Sequence, residues 1–273
     1  MNRRLLFSGL VLTALFGATF VDAQVLITKT KARVNLADVE VRGDTVFQKK
    51  KLADGGSAEI GIPIASIVGV EWPLPPALEA AEAEIEQGSP LAAIPAIKRE
   101  LAVHLPYRKI PGSHWVRAQT AYVRALACAG LPDPAERELA VLKADKPPAE
   151  TLTSLEFDIV LARSKDDWTT YAPKLTALRE AGLAERDSAR LWLAQGEYDR
   201  RRGQPEKALF AFLQVTVFHP KADHEQPAAL LGTVRCYRAL GETEQAGLAV
   251  DALTARFADS PETAAAIKET PAG

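Results

Sequence analysis

Residues 188–220 read SARLWLAQGEYDRRRGQPEKALFAFLQVTVFHP. Alanine, leucine and charged side chains dominate on both sides of Gly203, with apolar residues at helical spacing, so the stretch reads as two helices and not as strands. Gly203 is the residue type that ends a first helix, because a residue without Cβ enters left-handed backbone at no steric cost. Arg200, Arg201 and Arg202 stand just before it. Cations in a last turn complement the partial negative charge of a helix C-terminus, so this run reads as a terminus rather than a patch for an acidic partner.

The same punctuation recurs along the chain. Gly88, Gly130, Gly203 and Gly241 lie 42, 73 and 38 residues apart, and the longest gap leaves room for a further unit near Lys165. Five helical hairpins of about 35 to 42 residues follow, each unable to bury its apolar face except by stacking on neighbours. The texture differs before Trp72-Pro73-Leu74-Pro75-Pro76, which marks a boundary. There Val34, Leu36, Val39 and Val41 alternate with polar residues, and Ile60, Ile62, Ile64, Ile67, Val68 and Val70 are β-branched. Residues 24–74 are therefore expected to form four or five short strands, and residues 75–273 the helical domain.

Trp192, Gly196, Gly203, Ala208, Phe212 and Pro220 fall at the spacing of the tetratricopeptide repeat, and the stretch resembles that family. The resemblance implies that Trp192 and Phe212 pack between helices and that Gly196 and Ala208 let them approach. It also implies that Gly203 and Pro220 end the two helices. Gln195 and Asp199 depart from the pattern, where leucine and tyrosine are usual, with Leu193 and Tyr198 close by. Tyr237, Gly241 and Ala246 repeat the spacing, followed by Arg256-Phe257-Ala258-Asp259-Ser260-Pro261. That ending looks like the repeats of exported bacterial tetratricopeptide proteins such as the Tol–Pal coordinator and the outer-membrane assembly lipoproteins. The resemblance is strongest over residues 187–261. The fold class expected is thus a mostly α, TPR-like α-solenoid behind a small β module, which itself resembles Sm-like or SH3-like barrels or a curled sheet.

Arg3 and Arg4 precede an apolar run over residues 5–21 that ends at Val21-Asp22-Ala23. This is the pattern of a signal peptide, with cleavage expected after Ala23 and no transmembrane segment in the mature chain. The expected location is periplasmic or extracellular. A net charge of −2 carries no basic excess, so nucleic acid is not an expected partner. Cys128 and Cys236 sit in apolar helical patterns and read as buried thiols rather than a disulfide.

Chemistry-bearing patterns are sparse. His104, His114, His219 and His224 show no metal-ligand spacing, no phosphate-cradling glycine loop occurs, and no nucleophile stands beside a base. No catalytic residue, cofactor or metal is therefore expected. Asp166-Asp167 reads as a helix cap, Lys49-Lys50-Lys51 as a charged strand edge, and Trp115 with Tyr122 as core. The expected function is a non-catalytic scaffold that binds partner proteins or peptides of the cell envelope on its concave face. Arg117, Arg124, Arg190, Glu197 and Arg235 lie on first helices as candidate contacts. The alternative is a peptidoglycan- or polysaccharide-binding accessory.

Overall fold

The computed structural model describes residues 24–52 and 55–269; the expected signal peptide, residues 1–23, lies outside them. The chain divides into two compact units, one holding the residues up to Leu74 together with Pro106–Ser113, the other Pro75–Leu105 and the chain from His114 on.

The first unit has six strands among the described residues: β1 (Val25–Thr28), β2 (Arg33–Asn35), β3 (Val39–Arg42), β4 (Thr45–Lys51), β5 (Ser57–Pro63) and β6 (Ile67–Glu71). They form two antiparallel sheets, β2-β1-β6 and β3-β4-β5. The count exceeds the expected four or five because single turns of 3-10 helix, Leu36–Asp38 and Ile64–Ser66, break both long alternating runs. The Asn35 side chain accepts from the Ala37 N–H at 2.9 Å, and the Ser66 hydroxyl donates to the Pro63 carbonyl at 2.7 Å. Each break carries the chain from one sheet to the other. Leu26, Val34, Leu36, Val46, Ile67 and Ile110 make the core. Ile110 comes from Pro106–Ser113, where Tyr107 also meets Trp72 edge-on at 5.2 Å, so a boundary at residue 74 leaves out part of this unit. The three lysines are not on an edge strand, since β4 is the central one. However, β3 stops opposite Gln48, so Lys49, Lys50 and Lys51 pair only with β5.

The second unit contains α1 (Pro76–Glu86), α2 (Pro90–His104), α3 (Trp115–Cys128), α4 (Pro132–Lys143), α5 (Ala149–Ser164), α6 (Trp168–Glu180), α7 (Glu185–Arg201), α8 (Pro205–Leu213), α9 (Gln226–Leu240), α10 (Thr243–Arg256) and α11 (Pro261–Lys268). They pair as five antiparallel hairpins in a TPR-like array, with α11 packed on α9 and α10. Three hairpins turn through Gly-x-Pro: Gly88, Gly130 and Gly203 take positive φ, and Pro90, Pro132 and Pro205 open the next helix where a missing N–H costs nothing. Asp167 caps α6, accepting from the Thr170 N–H at 3.1 Å. Trp115 is buried with Tyr122 packed on the same cluster.

Phe212 is fully buried between α7 and α9, its ring against the glycine backbones of Gly196 and Gly232. Ala208 and Ala246 are buried, Gly241 ends α9 at φ 79°, and Tyr237 is half-buried on α9. Half-buried Trp192 meets Phe210 edge-on at 6.1 Å beneath the Arg179 guanidinium. The two departures from the repeat pattern form a polar pair, the Gln195 amide donating to Asp199 at 2.9 Å. Beyond α8 the helix widens to a π-helical turn, Gln214–Phe218, followed by His219 and Pro220. Gln226 is wholly buried and donates to the Val215 and His219 carbonyls at 2.8 and 2.9 Å, holding that end of the helix.

His104 ends α2, wholly buried, its ring edge-on to His114 at 5.4 Å. Burial first, and the charge of His114 second, push its pKa down to about 4. Glu100 Oε2 lies 3.7 Å from Nε2, one turn back on the same helix. The folded protein therefore keeps His104 neutral while the unfolded chain takes up a proton near pH 6.5. Stability is complete above that pH and falls as pH drops towards 4, by up to about 2–3 kcal/mol. In His104→Leu this loss should vanish, which urea-unfolding midpoints between pH 7 and pH 4.5 will show. Parallel curves for the two proteins would refute the assignment.

Candidate functional site

The first helices α1, α3, α5, α7 and α9 each pack directly on the next in the row, while the second helices pack on the following first helix. This asymmetry makes the first-helix side the tighter, inner face of the array. From α7, Arg186 reaches back to Glu86 at the end of α1, Nη1 to Oε1 at 3.2 Å, so the fourth hairpin closes on the first. Between them lies a cavity of about 360 Å³, lined by Glu86, Arg124, Cys128, Ser154, Arg186, Asp187, Arg190, His224 and Glu225 among others.

Its floor is a charged network. Asp158 on α5, 2 % exposed, accepts from Arg124 Nε of α3 at 3.1 Å and from Arg190 Nη1 of α7 at 2.5 Å. Ser154 accepts from Arg124 Nη2 and donates to Asp187 Oδ2, both at 3.0 Å. Arg190 also reaches Asp187 at 3.4 Å and lies over the Phe157 ring. Burial alone would lower the Arg190 pKa, but the attraction of Asp158, Cys128 and Asp187 holds it above the ordinary value. Three consecutive hairpins are thereby tied through one carboxylate.

The five candidate contacts occupy first helices but do not form one cluster. Arg124 and Arg190 meet on Asp158. Arg117 forms a two-pronged pair with Glu82 of α1 at 2.8 and 2.6 Å, Glu197 pairs with Arg200 at 2.9 Å on its own helix, and Arg235 holds Glu269 at 3.1 and 2.6 Å. The sequence reading did not single out Asp158, Asp187 or Glu225. Asp158 carried a signal, a charge inside the otherwise apolar run FDIVLA at residues 157–162, since a charge on a helix face that is otherwise buried requires a partner.

Burial raises the Cys128 pKa, with Asp158 adding to it, and burial pushes Cys236 up to about 11. Neither thiol is poised as a nucleophile. Among the described residues no three His, Cys, Asp or Glu side chains converge to hold a metal ion, and no helix is long and apolar enough to cross a membrane.

No protein-family model matches the chain, and no curated protein is significantly similar to it. Among solved structures it is similar to a Podosopora anserina kinesin light chain-like protein of nearly identical TPR-like repeats, at 18 % identity and TM-score 0.38, covering 68 % of this chain and 95 % of that one. A single-substitution form of that protein gives 17 % identity and TM-score 0.40, covering 67 % and 95 %.

Proposed function

We propose that this chain is a non-catalytic scaffold of the bacterial cell envelope that binds a partner protein or peptide along the inner face of its helical array. The observation that carries this reading is the row of directly packed first helices, which presents charged side chains around a cavity spanned by the Arg186–Glu86 bridge. Residues 1–23 supply the export signal and direct the mature chain to the periplasm or outside the cell, in the manner of the exported bacterial repeat proteins that residues 187–261 resemble. Specificity on such a surface comes from the pattern of side chains on rigid helices, with no bond made or broken.

Photo-crosslinking amino acids placed in turn at Arg117, Glu197 and Arg235 on first helices should capture a defined protein from the native envelope. The same groups at Leu91 and Leu248, exposed on second helices, should not. Capture confined to the second helices would overturn the inner-face reading. If retention on isolated cell wall replaced protein capture, the polysaccharide-binding alternative would take its place.

A further inference from the structure

Within the inner-face cavity one charge is left over. Arg124 and Arg190 are committed to Asp158, and Arg186 to Glu86. Glu225, just before α9, is only 7 % exposed yet forms no ion pair among the described residues. Its carboxylate is helped by its own backbone N–H, while Arg186 and Arg190 attract it across the cavity without reaching it; burial outweighs these and raises its pKa. Three guanidiniums thus serve four carboxylates, Glu86, Asp187 and Glu225 on the cavity lining and Asp158 buried behind it. A buried carboxylate without a counter-charge is costly, and a cation with N–H donors is what relieves that cost.

We propose that this cavity is a binding site for one basic side chain, lysine or arginine, presented by the partner, with Glu225 as its counter-charge. The assignment rests on the inner-face reading above and names the chemistry the partner must bring. Size agrees: about 360 Å³ is at the small end of ligand pockets, which run from about 300 to 1,000 Å³, and suits a single long side chain rather than a folded surface. An anionic group seated on Arg124 or Arg190 would have to draw it away from Asp158 and leave that buried carboxylate uncompensated, so the donor left for an anion is the buried Nε of Arg186, which an acidic peptide tests. Beside the cavity, Arg186, His224 and Glu225 are shared with a second hollow that Glu185 and Asp223 also line, together with Lys221.

The test titrates the purified, isotope-labelled protein with blocked Gly-Arg-Gly, Gly-Lys-Gly and Gly-Glu-Gly peptides at fixed ionic strength, followed by amide NMR. The basic peptides should shift the amides of residues 186 and 224–226 saturably, and the acidic peptide should not. Glu225→Gln keeps size and shape and should weaken the basic peptides at least tenfold, while Glu82→Gln, outside the cavity, should bind as the wild type does. Unchanged affinity in Glu225→Gln, shifts confined to other residues, equal response to the acidic peptide, or no binding would each overturn the proposal. Loss of the cavity result with crosslinking from Arg117 or Arg235 intact removes the basic-side-chain assignment alone. Loss of crosslinking with peptide binding intact removes the scaffold reading.

Discussion

Asp158→Ala should destabilise the helical array by about 3–5 kcal/mol, because it leaves Arg124 with no carboxylate partner and Arg190 with only the longer contact to Asp187. The Asp158 side chain is fully buried, and Arg124 and Arg190 are 34 % and 21 % exposed, so water only partly replaces what is lost. Glu82→Ala removes the partner of Arg117, whose side chain is 49 % exposed, and should cost about 1 kcal/mol or less. Urea unfolding followed by far-UV circular dichroism separates the two. Adding Arg190→Met to Asp158→Ala should recover part of the loss, since an apolar side chain of similar length needs no counter-charge. If Asp158→Ala cost no more than Glu82→Ala, the carboxylate would not be the tie between α3, α5 and α7.

Turn positions in the helical array were legible because their cause is local. A glycine at Gly88, Gly130, Gly203 and Gly241 is cheap wherever the backbone turns left-handed, and all four do so at the end of a first helix. The third hairpin, in the long gap between Gly130 and Gly203, turns near Lys165 without a glycine, and only the spacing announced it. What depends on distant partners was not legible. Arg124 and Arg190 lie on first helices, yet nothing local says that both are drawn to Asp158. At the strand breaks, Leu36–Asp38 and Ile64–Ser66, the apolar alternation slips by one residue, from Val34 and Leu36 to Val39 and Val41 and from Ile62 and Ile64 to Ile67, a local signal that the expected four or five strands did not use. Ile110 reached the β core from a segment that reads as a loop between helices.

That Glu225 forms no ion pair among the described residues follows from the same logic of commitment. Each arginine lining the cavity has a nearer carboxylate on a neighbouring helix, and the geometry of rigid helices fixes those choices before any partner arrives. Among the described residues of the cavity lining, the three arginines are thus each paired with a carboxylate, and Glu225 is left without an ion pair.

Gly196→Ala and Gly232→Ala should each destabilise the protein by about 1–3 kcal/mol, reversing the usual sign of a glycine-to-alanine change inside a helix. A Cβ at Gly196 would lie 2.6 Å from Phe212 Cε1, and one at Gly232 2.6 Å from Cε2 and Cζ, all far inside van der Waals contact. The ring cannot swing clear, because it is fully buried with Ala189, Ala208, Ala229 and Cys236 in its cluster. Gly232 escaped the sequence reading although it stands 36 residues after Gly196, close to the 38 between Gly203 and Gly241. Gly247 on α10 supplies the control: a Cβ there meets nothing within 4 Å, so Gly247→Ala should stabilise by about 0.5–1 kcal/mol through backbone propensity alone. Phe212→Ala removes the ring and should cost about 3–5 kcal/mol. In a Phe212→Leu background the penalty of Gly196→Ala should shrink, a non-additivity expected only if the methyl and the ring compete for one space. Thermal and urea midpoints of this set decide the matter: a Gly196→Ala protein as stable as Gly247→Ala would mean that α7 and α9 are not held at glycine distance from Phe212.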